Sequence, residues 1–132
     1  MTTPRARMRA VRWSAQLLVV AQADPVVPLD LRQRAVELSR LFPNQSWVLG
    51  LLADRDAWFA RDVAQDLVEA ALLFEVMEPS GRMSPATRQL WRGTMRHYPC
   101  RFNGWRRPQD FELFRVSELL DSEDALDRHD CG

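Results

Sequence analysis

At 132 residues, 46% of them hydrophobic and 27% charged, the chain suffices for one domain with its own core and has an ordinary globular composition. Its 18 basic and 18 acidic residues cancel, so whole-molecule charge argues for no particular partner, whether nucleic acid, membrane or protein. Two cysteines, Cys100 and Cys131, exclude a disulfide scaffold, and no run approaches the ~20 apolar residues that cross a bilayer.

Thr3-Pro4 reads as a cap followed by proline at the first helical position, and predicts a helix to about Gln22. Met8, Val11, Ala15, Leu18 and Gln22 share its apolar face, while Arg5, Arg9 and Arg12 occupy a solvated stripe. The same segment has a basic-then-apolar order and an Ala21-Gln22-Ala23 that imitates a leader-cleavage site. Ser14 and Gln16 break the run, however, and leave only Leu17–Ala21 continuous, short of the roughly 7–15 residues a leader needs. An unprocessed, cytoplasmic protein is the expectation.

Pro25 and Pro28 mark a loop, after which Leu31, Ala35, Leu38 and Phe42 form the ladder of a second helix stopped by Pro43. Asn44 caps a short third helix, Gln45–Ala53, carrying Trp47, Val48, Leu51 and Leu52. Asp56 is read as the cap of the longest helix, Ala57 to Met77, with Phe59, Val63, Leu67, Ala70, Phe74 and Met77 buried and Trp58 also assigned to the core. Pro79-Ser80-Gly81 ends it. Ser84-Pro85 starts another, running to Tyr98 with Gly93 weakening its middle. An irregular stretch, Pro99–Arg107, leads to a final helical segment over Gln109–Leu120. The fold class is therefore all-α: a small bundle of five or six helices over residues 1–120, with an acidic tail over 121–132 expected to be mobile.

Ser14–Pro43 overlays Ala70–Pro99 at a constant offset of 56 residues, with Ala15, Leu17, Val20, Arg32, Gln33, Arg40 and Pro43 identical to Ala71, Leu73, Val76, Arg88, Gln89, Arg96 and Pro99. The pattern reads as two related helix–loop–helix units, each needing the other to bury its apolar face.

Charge is unevenly placed. Residues 1–53 sum to +4, 54–79 to −5, 80–107 to +7 and 108–132 to −6. The third block has no acidic residue, and Arg88, Arg92 and Arg96 lie at i, i+4, i+8 with Trp91, His97, Tyr98, Phe102 and Trp105 interleaved. Arginine with aromatic rings suits an interface anchor, and it equally suits phosphates and unpaired bases. The candidate contact residues are Arg88, Arg92, Arg96, Phe102, Trp105, Arg106 and Arg107. Pairing of this row with the neighbouring acidic helix, and Trp105 folding back onto the bundle, are the competing structural readings.

His97-x-x-Cys100 and His129-x-Cys131 offer a zinc-like donor set, but their spacing matches no paired-ligand signature, so no metal and no cofactor is expected. No nucleophile elbow, H-E-x-x-H, phosphate-binding glycine loop or dinucleotide fingerprint occurs, which argues against an enzyme.

The opening Thr2, Pro4, Arg7, Arg9, Ala10 and Val11, followed by Trp13, then Pro28, Leu31, Arg32, Ala35 and Arg40 through Pro43, resembles a group of short bacterial helical proteins of unknown function. Arg96-His97-Tyr98-Pro99 repeats the helix end that marks the group, whereas Leu41 and Phe42 depart from it. The resemblance implies a helical fold and an intact N-terminus, and no activity. The functional expectation is a protein-binding or accessory protein that meets an acidic partner surface through the arginine-rich stretch. Nucleic acid bound by the same stretch is the alternative, and a self-complementary dimer is permitted.

Overall fold

The computed structural model describes residues 2–102 and 107–122, without the side chains of Arg101 and Phe102. Every regular element among them is helical: α1 (Pro4–Ala23), α2 (Leu29–Leu41), α3 (Gln45–Leu52), α4 (Arg61–Met77), α5 (Pro85–Met95) and three single turns, α6 (Pro99–Phe102), α7 (Pro108–Phe111) and α8 (Val116–Leu119). No described helix is long and apolar enough to cross a membrane.

Caps set the starts. The Thr3 hydroxyl accepts from Ala6 N–H at 3.1 Å with Pro4 beside it, and Asn44 accepts from Trp47 N–H at 2.8 Å. Ser84 does the same for Thr87 N–H at 3.5 Å, with Pro85 in the first helical position. Each satisfies one of the amide groups that a helix start leaves without an internal partner. α4 departs from the expectation: its cap is Ala60 rather than Asp56, and at 17 residues it is shorter than the 20-residue α1. Gly81 closes the loop after α4 at φ 85°, a conformation disfavoured for residues with a Cβ.

The late start of α4 has a physical cause. Residues 57–59 are extended and pair antiparallel with 114–116, Phe59 N–H donating to Phe114 O at 2.8 Å and Val116 N–H to Ala57 O at 2.9 Å. Neighbours in an extended chain point to opposite sides. Phe59 is therefore buried against Phe111, ring centroids 5.4 Å apart, and Trp58 faces outward, 59% exposed, under the guanidinium of Arg115 at 4.6 Å. Trp58 is thus not a core residue. The same pairing splits the expected Gln109–Leu120 helix into α7 and α8.

α1 is the central strut. It packs against α2 and α5 and touches α6 and α8, while α4 lies against α2, α6 and α7. Met8, Val11, Leu17, Leu18 and Ala21 are fully buried along α1, and Leu67, Phe74 and Met77 along α4. Each such large side chain contributes about 1.5–3 kcal/mol over its exposed state. α5 is tied to α4 by side chains: Trp91 Nε1 donates to Phe74 O at 2.9 Å, the Tyr98 hydroxyl to Leu67 O at 2.9 Å, and the Phe74 and Tyr98 rings meet edge to face at 5.6 Å. Over the two overlaid segments the second helices begin at Leu29 and Pro85, but their settings differ, because α1 lies directly on α2 while α4 has its closest neighbours in α7 and α2.

Arg7 is buried inside the solvated end of α1. Its guanidinium donates to Leu119 O at 2.8 Å, Glu118 O at 2.9 Å and the Thr2 hydroxyl at 2.7 Å, and burial lowers its pKa from the usual arginine value. Asp121, placed in the tail by composition, pairs with Arg55 at 2.8 Å and its amide donates to Pro4 O at 3.2 Å.

Candidate basic groove between the first and fifth helices

The row Arg88, Arg92 and Arg96 does not act as one unit. A step of four residues on a 3.6-residue helix turns the side chain by about 40°, so the row drifts by nearly a quarter turn across three members. Arg88, at one end, reaches the terminus of α4. It donates to Glu78 O at 2.6 Å and Pro79 O at 3.0 Å, satisfying carbonyls the helix leaves unpaired, and its guanidinium lies 5.3 Å from the Trp91 ring. Arg92 is exposed, and Arg96, also exposed, lines the cleft where α5 meets α1.

Arg107 is exposed and paired with Asp110 at 3.2 Å in a capping box that starts α7. Trp105 and Arg106 lie outside the described residues, as does the side chain of Phe102, and His129 and Cys131 of the zinc-like set lie outside them too. The acidic helix does not simply neutralise the α5 row: Glu69 of α4 pairs with Arg34 of α2 at 3.7 Å, and Arg61 pairs with Glu112 of α7 at 2.7 Å. Cys100 is buried, with its thiol 3.7 Å from Leu67 O.

Beside Arg96 the structure gathers residues absent from the sequence-based set. A cavity of about 350 Å³ is walled by Arg9 and Trp13 of α1 and by Arg96 and His97 at the end of α5, over a floor of Ala6, Ala10 and Gly93. On the other side of Trp13 a second cleft of about 360 Å³ is lined by Gln16, Gln89 and Leu90. Gly93 accounts for the shape. A Cβ there would lie 3.5 Å from Cζ3 and 3.8 Å from Cε3 of Trp13, so the indole rests against the α5 backbone and separates the two clefts. Trp13 remains 41% exposed.

Electrostatically the groove is one-signed. Neither Pro4–Ala23 nor Pro85–Met95 contains an acidic residue. His97 is held below the usual histidine pKa, first by burial and then by the neighbouring cations Arg96 and Arg9. Its Nδ1 is buried without a hydrogen-bond partner, as is the Thr94 hydroxyl one turn earlier. Burying such a group unpaired costs about 1–3 kcal/mol.

Two signals could have found the groove. Trp13 falls four residues after Arg9, on the polar stripe of α1, where a tryptophan needs a reason. Gly93 sits mid-helix, where glycine costs about 1 kcal/mol against alanine unless packing requires it.

Comparison of the chain with protein-family models, with curated proteins and with solved structures finds no match.

Proposed function

We propose that the protein is a non-enzymatic binding module that engages an acidic segment of another protein in the groove between α1 and α5. One observation carries this reading: two acid-free helices set Arg9 and Arg96 beside a partly exposed Trp13. Tryptophan and arginine are the side chains that most often anchor protein interfaces, the ring supplying area and the guanidinium supplying directed charge. Arg92 and Arg12, exposed on the same two helices, extend the basic surface around the groove. The assignment moves the contact surface from the irregular stretch after α5 to α5 and α1 together. A cytoplasmic setting and descent of the two helix pairs from one duplicated unit belong to this proposal; the 56-residue offset between the starts of α2 and α5 supports the latter.

The test is affinity capture from native lysate on the immobilised chain, with and without nuclease, comparing wild type with Trp13→Ala/Arg96→Glu and with Arg40→Glu on exposed α2. The expected result is a protein that survives nuclease, is retained by Arg40→Glu and is lost by the groove variant. Nuclease-sensitive material released by moderate salt would replace this reading with nucleic-acid binding, whose phosphate contacts weaken steeply with ionic strength. Equal capture by all three forms would place the contact elsewhere.

A further inference from the structure

The cationic half of the groove is more specific than a basic surface needs to be, and its geometry states what it would hold. A carboxylate is planar and is satisfied by a single guanidinium fork. Here three nitrogen-bearing side chains converge from two helices: Arg9 from α1, Arg96 from the end of α5, and His97 one residue further. They surround an enclosed space rather than a flat face. That space is open because Ala6, Ala10 and Gly93 contribute almost no side chain to it.

His97 adds the independent observation. Its buried Nδ1 meets no hydrogen-bonding partner in the protein, an arrangement that native structures avoid unless a ligand or water completes it. A phosphate monoester presents three strong acceptor oxygens at tetrahedral angles and carries close to two negative charges at neutral pH, which is the complement of two guanidinium groups and one ring N–H. Acid-free helices on both walls leave no carboxylate of α1 or α5 to compete for those donors. A cavity of about 350 Å³ lies in the range that holds a small ligand or one modified side chain with its linking atoms. Trp13 would lie against the aliphatic part of the residue that bears the phosphate.

We infer that the pocket formed by Arg9, Arg96 and His97 receives a phosphate monoester, carried on a phosphorylated side chain of the acidic partner. The inference rests on the reading of the groove as the contact surface, and it sharpens that reading by naming the group recognised.

The test uses the full chain labelled with nitrogen-15 and titrated with inorganic phosphate at constant ionic strength, with acetate and chloride as comparison anions. Expected are saturable shifts at the amides of Ala6, Arg9, Gly93, Arg96 and His97, at phosphate concentrations at least tenfold below those at which acetate acts. Arg96→Gln and Arg9→Gln, each folded by circular dichroism, should each weaken phosphate binding about tenfold, and His97→Gln should weaken it less. A phosphoseryl tripeptide should then bind more tightly than inorganic phosphate and compete with the captured protein. Shifts that fail to saturate, or that appear equally around Arg34, Arg40 and Arg82, overturn the pocket. Tighter binding of adenosine 5′-monophosphate than of the phosphopeptide overturns the side-chain source. Should the captured protein be retained while phosphate neither binds nor competes, the pocket inference alone fails; loss of both removes the groove reading as well.

Discussion

The carboxylate of Asp24, at the end of α1, accepts a hydrogen bond from the backbone N–H of Ser84, sixty residues later, at 2.9 Å. Its other oxygen accepts from Val26 N–H at 3.0 Å. A single buried side chain thus orders the loop after α1 and sits at the N-terminus of α5, where the helix dipole favours negative charge. Burial alone would raise the Asp24 pKa. Hydrogen bonds from the Thr87 side chain, the Ser84 and Val26 amides and the Ser84 side chain outweigh it and hold the pKa at about 2, below the ordinary 3.8.

Because the folded value is depressed, the stabilisation is complete above pH 3.8 and is lost as pH falls towards 2. Asp24→Asn should cost on the order of 2 kcal/mol at neutral pH. Urea unfolding between pH 7 and 2 checks this: the gap between wild type and variant should be constant at neutral pH and narrow below pH 4.

Gly93→Ala should stabilise the protein by about 0.5–1 kcal/mol, since alanine favours the helix and its Cβ would meet the Trp13 ring at an ordinary contact distance of 3.5 Å. Gly93→Leu has no such room and should displace the indole. Thermal unfolding should therefore give a higher Tm for the alanine variant, while the leucine variant should lose partner capture at the groove.

Arg7→Met should be among the most damaging single substitutions on α1. It removes charge-assisted bonds to Leu119 O and Glu118 O and leaves those carbonyls facing an apolar chain. The expected loss is about 2–4 kcal/mol in urea unfolding. Hydrogen exchange should quicken in α8 before it does in α4, because the tie that is cut belongs to α8.

Two tryptophans should respond oppositely to truncation. Trp91→Phe loses the 2.9 Å bond to Phe74 O and part of a buried ring, for about 1–3 kcal/mol. Trp58→Ala removes a 59% exposed ring whose recorded ring contact is Arg115, for no more than about 1 kcal/mol. Equal effects in denaturant titrations would contradict the burial of one and the exposure of the other.

Local chemistry explains what the sequence made legible. Thr3-Pro4, Asn44 and Ser84-Pro85 each mark a helix start through a bond spanning three residues, and the apolar stripes of α1, α2 and α5 follow from spacing within one helix. Trp58 was misassigned because its position is decided by pairing with Arg115, 57 positions away, and the helical spacing through Phe59 and Val63 carries no trace of that pairing. Burial of Arg7 depends on carbonyls 111 and 112 residues distant. The groove has the same character. Arg96 was visible as part of a row, but its companions Arg9 and Trp13 join it only when α1 packs on α5, and Arg88 leaves the row to close the end of α4.

The central position of α1 has a consequence for how the chain comes into being. Its neighbours include α5 and α8, which leave the ribosome last, so a nascent chain ending at Leu52 would present the α5-facing side of α1, Arg9 and Trp13 included, to solvent and to chaperones. Only α2 can shield α1 early. The remaining contacts span most of the chain and form after release, which makes emergence from the ribosome the stage at which this small protein is most exposed to misassembly.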